Sequence, residues 1–200
     1  MTDASAHSPR TPDGYRHNPL TTSGPRIRAD VVDVYIFRTL SPLKTQDPRP
    51  KTLSFLQLLR AKDPLSSTWQ PIMGHVEHGE TATDTARREL TEEVSLDSHG
   101  TDVLGFWALE QIWPFYIAQI DCVVLSPRFA VEVTPTWEPT LNPEHTAHRW
   151  ITVPADHNAD ETRDTLDAHF MWPGQRHTIT EILRDITREN ALPRERLRIK

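Results

Sequence analysis

Three carboxylates, Glu89, Glu92 and Glu93, fall at positions i, i+3 and i+4 in a stretch whose small and apolar residues Ala82, Ala86, Leu90 and Val94 recur every fourth position. That spacing marks one face of a helix, and at about 100° per residue the three acids share a fan of roughly 100°. Like charges so close repel by a few tenths of a kcal/mol per pair, a cost that a hard cation with oxygen ligands reverses. The chemistry indicated is binding of Mg²⁺, with Mn²⁺ as an alternative. Arg88 stands beside Glu89 and four residues before Glu92, so a surface helix laced with ion pairs would also account for several of these residues.

The loop before this helix shifts the balance. Gly74 and Gly79 permit backbone conformations closed to other residues, in a chain with only seven glycines. A tight loop feeding a helix N-terminus can cradle phosphate oxygens with its amides. Thr81 or Thr83 is suited to cap the helix start.

The register Gly74, Glu80, Arg88, Glu89, Leu90, Glu92, Glu93 and Leu96 resembles the Nudix box, with only Ser95 standing where the box has glycine. The resemblance implies an α/β fold, a Nudix-type α/β/α sandwich around a mixed β-sheet. It further implies an enzyme that uses a metal-activated water to cut a phosphoanhydride bond. By position in the box, Glu89 and Glu93 are expected as principal metal ligands and Glu92 as a further ligand or water-orienting group. Arg88 is expected to position a neighbouring carboxylate and Glu80 to brace the loop, so Glu89, Glu92, Arg88 and Glu80 form the expected catalytic set. Ser95 falls at the helix C-terminus, where glycine is favoured for its left-handed conformation.

Outside the box, Trp69-Gln70 followed by Gly74 resembles the Trp-Gln-x-x-x-Gly entry of bacterial dihydroneopterin triphosphate pyrophosphohydrolases. Glu144-His145 followed by Trp150, and Trp172 followed by Arg176, are similar to later segments of the same subgroup. This resemblance implies Glu144 as an extra metal ligand or base, and Gly74, Trp69, Gln70 and Trp172 as substrate contacts. The implied reaction is hydrolysis of a nucleoside or pterin triphosphate between its α and β phosphates, giving monophosphate and pyrophosphate. ADP-ribose and dinucleoside polyphosphates are alternative substrates, and a non-catalytic ligand sensor is an alternative role. Such sensors usually lose the Arg-Glu or Glu-Glu elements, and both are intact here.

These groups need strands and helices to hold them. Residues 31–38 and 53–59 read as strands joined by a Pro-rich loop over 41–50, with further strands expected at 103–112, 116–125, 129–133 and 148–153. A short helix is expected over about 160–170. A second begins after Pro173-Gly174, where Ile179, Ile182, Leu183 and Ile186 follow helical spacing. The stretch from Met1 to about Arg26 has almost no large apolar side chains, so residues 1–28 read as a flexible leader, 29–190 as the domain, and 191–200 as a basic, solvated tail.

Composition sets limits. With 200 residues, 36% hydrophobic and 25% charged, one globular domain is expected. The formal charge of −6 argues against stable nucleic-acid binding and for a small nucleotide-like substrate. Cys122 is the only cysteine, which makes a cytoplasmic location the default. No apolar run spans a bilayer, so no membrane partner is expected. Two His-x2-His pairs, His75 with His78 and His145 with His148, raise zinc as a weaker alternative to the carboxylate site. A homodimer stays open.

Overall fold

A computed structural model describes residues 24–40, 52–63, 65–154, 159–187 and 192–199. Residues 1–23 and the expected loop over 41–50 lie outside the described residues.

In chain order the elements are β1 (Arg26–Arg28), β2 (Val31–Leu40), β3 (Thr52–Arg60), β4 (Trp69–Gln70), β5 (Ile72–His75), α1 (Ala82–Val94), β6 (Val103–Ala108), β7 (Phe115–Ile117), β8 (Cys122–Val124), β9 (Arg128–Val133), β10 (His145–Pro154), α2 (Ala159–His169), α3 (Pro173–Glu181) and α4 (Leu192–Leu197). A seven-stranded sheet runs β10-β3-β2-β9-β6, with β4 added on β3 and β5 on β2. The β2–β9 pair is parallel and the other pairs of this sheet are antiparallel, so the sheet is mixed as expected.

Both faces of the sheet are covered. Strand alternation sends Val32, Val34 and Ile36 to one side, where they pack with Leu58, Ala86 and Leu90 under α1. Tyr35 and Phe37 go to the other side, where Leu166 of α2 and Ile179 of α3 meet them with Ile182 and Ile186 of the π-helical turn that follows α3. The result is an α/β/α sandwich.

Several sequence-based expectations are corrected. The expected strand over 103–112 ends at Ala108. The single strand over 116–125 is instead a hairpin: β7 and β8 pair antiparallel around a 3₁₀ turn closed by Asp121 at φ 45°. Aspartate tolerates this left-handed backbone, and apolar patterning on either side conceals the turn. Arg26–Arg28, assigned to the leader, pairs with β8 in parallel to form a small three-stranded sheet β1-β8-β7. The end of the tail is docked rather than solvated: Ile199 N–H donates to the Phe106 carbonyl at 2.8 Å and its side chain packs on the core.

Candidate active site

The geometry starts from the ends of α1. Thr81 caps it in a capping box with Asp84, each side chain accepting from the other's backbone N–H, so Thr81 and not Thr83 is the cap. At the other end Ser95 adopts φ 57° and ψ 35°, the left-handed conformation anticipated from the missing glycine, and its N–H bonds the Thr91 carbonyl. Both ends are therefore fixed, and the helix turns Thr85, Ala86, Glu89, Leu90, Glu93 and Val94 inward. The three carboxylates differ in environment: the side chains of Glu93 and Glu89 are 2% and 11% exposed, whereas Glu92 is 54% exposed.

Arg88 organises the outer part. Its Nε donates to Glu80 Oε1 at 2.9 Å and its Nη2 to Glu80 Oε2 at 3.2 Å, a two-point clasp. Nη1 reaches Glu89 at 2.7 Å and Glu92 at 3.1 Å, while Nη2 also bonds the His75 carbonyl at 2.8 Å. Glu80 accepts in addition from the Glu77 N–H and the Thr85 hydroxyl. The Arg88 hydrogen bond, with those from Glu77 and Thr85, lowers the Glu80 carboxyl to about 2.

Gly74 makes room for Glu89. A Cβ at position 74 would lie 2.0 Å from Glu89 Cδ, so the carboxylate occupies the space a side chain would fill. Gly79, at φ +92°, makes the turn that returns the loop to the helix start. The structure thus gives Gly74 a packing role beside the Glu89 carboxylate.

Glu93 is the most constrained group. It lies beneath α1 opposite His145, whose Nε2 is 3.6 Å from Glu93 Oε2. Neither Glu93 oxygen has a hydrogen bond of good geometry among the described residues, though the Met73 amide lies near enough to favour the charge weakly. Burial, then repulsion from Glu89 and Glu144, pushes its carboxyl well above the usual range. Glu89 is raised chiefly by burial, against the pull of Arg88. Burial and the Arg60 charge lower the His145 imidazole against the pull of Glu144, which disfavours its protonated form as a counter-ion to Glu93.

Glu144 approaches from the loop before β10, its carbonyl accepting from the Ala61 N–H at 2.8 Å. Its carboxylate lies 3.8 Å from Lys62 and 4.0 Å from Arg60. Among the described residues no three histidine, cysteine or acidic side chains converge closely enough, as they stand, to hold one ion. The expected set Glu89, Glu92, Glu93 and Glu144 is adjacent but divided, because Arg88 draws Glu89 and Glu92 one way while Lys62 and Arg60 draw Glu144 another. The residues nonetheless suit a hard divalent cation. All four donor groups are carboxylates, and one buried without a well-formed hydrogen bond among the described residues, next to two other carboxylates, calls for positive charge. The histidine pairs do not form a zinc site among the described residues: His148 faces Glu138 at 3.4 Å, and His145 is buried on Glu93.

The expected ring contacts are separated by the sheet. Gln70 pairs with Leu58 and shares its α1 side, fully buried, whereas Trp69 pairs with Leu59 and points to the opposite face. There the Arg149 guanidinium lies 4.2 Å from the Trp69 ring centroid. Trp172 is the N-cap of α3, on that same opposite layer. The sequence reading missed the buried Asp33–Arg128 pair, Nε to Oδ2 at 3.2 Å, because its members lie 95 residues apart.

Fold and box together define a hydrolase of phosphoanhydride bonds. The family model for the NUDIX domain matches residues 27–170, and the chain belongs to the NUDIX family. Among solved structures, an Ap4A hydrolase from C. elegans shares the fold at a TM-score of 0.51 and 16% identity, over 78% of this chain and 95% of that one. The dihydroneopterin triphosphate pyrophosphohydrolase of E. coli is 22% identical over 71% of this chain and 98% of that one, with a TM-score of 0.44. A curated octanoyltransferase of Myxococcus xanthus is 29% identical over 118 residues, 58% of this chain, and the chain spans only 30% of that relative's length. No helix among the described residues is long and apolar enough to cross a membrane.

Proposed function

We propose that the chain hydrolyses a nucleoside or pterin triphosphate between its α and β phosphates in the presence of Mg²⁺, releasing monophosphate and pyrophosphate, with residues 29–190 as the catalytic domain. The observation that carries the metal-dependent part is Glu93, a carboxylate 2% exposed with two acidic neighbours and, among the described residues, no hydrogen-bonded partner of good geometry. Glu89, Glu92, Glu93 and Glu144 would hold the cation, and Mn²⁺ suits the same donors. Mg²⁺ held by these carboxylates would supply charge neutralisation and an acidified water.

The chain's own residues divide the remaining work. Arg88 and Glu80 fix the loop against the helix, and Gly74 lets the Glu89 carboxylate lie against β5. The half-exposed Glu92, held by Arg88, would orient water. Lys62 and Arg60, beside Glu144, place positive charge where an anionic substrate would meet the loop. A triphosphate on a flat ring is favoured by the Trp-Gln entry and the Glu144-to-Trp150 segment, with Trp69 and Trp172 as stacking surfaces on the α3 side of the sheet.

The test is a product assay with and without Mg²⁺. Glu93→Gln keeps the volume and removes the charge, so turnover is expected to fall on the order of 10³-fold while thermal stability at neutral pH rises. The sign follows from the raised carboxyl of Glu93: its ionised form destabilises the folded state, and the amide removes that cost. Near-wild-type turnover of a folded variant would overturn the role of Glu93. Cleavage of ADP-ribose at least tenfold more efficiently than dihydroneopterin triphosphate and dATP would overturn the substrate class.

A further inference from the structure

A second concentration of buried polar atoms lies on the face of the sheet opposite α1. Arg128 spends Nε on Asp33 and Nη2 on the Trp113 carbonyl at 3.2 Å. Arg128 Nη1 and Asp33 Oδ1 are left without partners among the described residues. Gly174 at the start of α3 closes over them, since a Cβ there would lie 2.8 Å from Arg128 Nη2 and 3.5 Å from Trp113 Cβ. The next residue, Gln175, is 4% exposed, and neither end of its amide is paired. Trp113 Nε1 and Glu181 Oε2 are likewise buried and unpaired. Six unspent polar atoms on β2, β9, α3 and the segment that packs on them are more than a core that serves packing alone leaves unpaired. Their mixture of donors and acceptors, beside an indole, matches the edge of a flat polar ring.

The cluster is joined to the carboxylates through β5. Asp33 pairs with Met73, the residue before Gly74, against which Glu89 lies. We infer that Asp33, Arg128 and Gln175 form the ring-recognition subsite for the triphosphate substrate and select a ring bearing a lactam edge, an N–H beside a C=O, as in a pterin or guanine, over adenine. Asp33 Oδ1 accepts from the ring N–H, Arg128 Nη1 donates to the ring carbonyl, and Gln175 satisfies the adjoining edge. Adenine presents the reverse polarity, an acceptor nitrogen beside an amino donor, and leaves the same protein atoms unpaired. Ring entry requires residues 110–113 to part from α3. They are held there by the Trp113–His177 stack, with 4.1 Å between centroids, and by Glu181 accepting from the Glu110 and Gln111 N–H groups.

This assignment rests on the proposed triphosphate hydrolysis and is tested so that the two fail separately. In the wild-type protein, guanosine and dihydroneopterin are expected to quench tryptophan fluorescence with at least tenfold tighter binding than adenosine, a measurement that needs no turnover. Gln175→Leu is expected to lower kcat/KM for dGTP and dihydroneopterin triphosphate at least tenfold, through KM, while dATP changes less than threefold. A Leu variant that melts at a higher temperature with every substrate ratio unchanged would show that Gln175 is a stability cost unconnected with the ring. Equal binding of guanosine and adenosine by the wild type would overturn the subsite whether or not the variant folds. Absence of turnover with any triphosphate would instead overturn the reaction, and the binding comparison would still decide the subsite.

Discussion

Replacing Gly74 by alanine separates the catalytic demand on this position from its structural one. The added Cβ would stand 2.0 Å from both Cδ and Oε1 of Glu89, whereas ordinary contact begins near 3.4 Å. Glu89 Cγ would lie at 2.1 Å as well, so the whole side chain must retreat by about 1.3–1.4 Å, through a new rotamer or a small shift of α1 from β5. The φ of Gly74 lies outside the left-handed region, so alanine is not strained there and slightly reduces the entropy of the unfolded chain. The expected stability change is a loss of about 1–3 kcal/mol, the usual cost of overpacking, or several degrees in Tm. A catalytic group misplaced by about 1 Å costs on the order of 10²-fold in rate, roughly 3 kcal/mol in the barrier. Thermal unfolding and initial rates of pyrophosphate release at saturating Mg²⁺ give both numbers. A folded variant within threefold of wild-type turnover would show that the placement of the Glu89 carboxylate against β5 is immaterial to the reaction.

Two further outcomes follow from the ends of the box. Ser95→Gly relieves a left-handed backbone at φ 57°, at the loss of a 3.4 Å hydroxyl contact to the Thr140 carbonyl, and is expected to stabilise by about 0.5–1 kcal/mol with unchanged turnover; a fall in Tm would assign the hydroxyl more weight than its geometry suggests. Glu80 has a folded-state carboxyl lowered to about 2 by Arg88, so the stability it contributes is present above its unfolded value near 4.5 and is lost as pH falls toward 2. Glu80→Gln should flatten the acid limb of a stability-against-pH curve in that window, and superimposable curves would refute the latch.

The box was legible because its chemistry is local. Glu80, Arg88, Glu89, Glu92 and Glu93 are fixed to one another by helical period and a short loop, and the structure finds the Arg88–Glu92 pair at the anticipated i, i+4 spacing. Strands β2, β3, β9 and β10 were readable from β-branched and aromatic runs that bury one or both faces. Features that depend on distant partners were not. Nothing near Arg26–Arg28 announces its pairing with β8, and nothing near Ile199 announces the Phe106 carbonyl. Helical spacing placed Glu92 with its two neighbours, but only packing distinguishes the exposed acid from the buried ones. Likewise Trp69 and Gln70, adjacent in sequence, were expected to serve one ligand together, and strand alternation sends them to opposite faces.

The parallel β2–β9 pair also divides the molecule in time. The loop and helix from Gly74 to Ser95 close over short chain separations, and such contacts cost little loop entropy. The Asp33–Arg128 contact, by contrast, waits for a chain closure of 95 residues and gains its cover only when Gly174 and Gln175 have been made. During synthesis the carboxylate-bearing helix can therefore take shape tens of residues before the far side of the sheet is complete. A nascent or C-terminally shortened chain would carry the acidic apparatus without the surface that chooses what enters it, so the order of assembly runs from chemistry to selectivity.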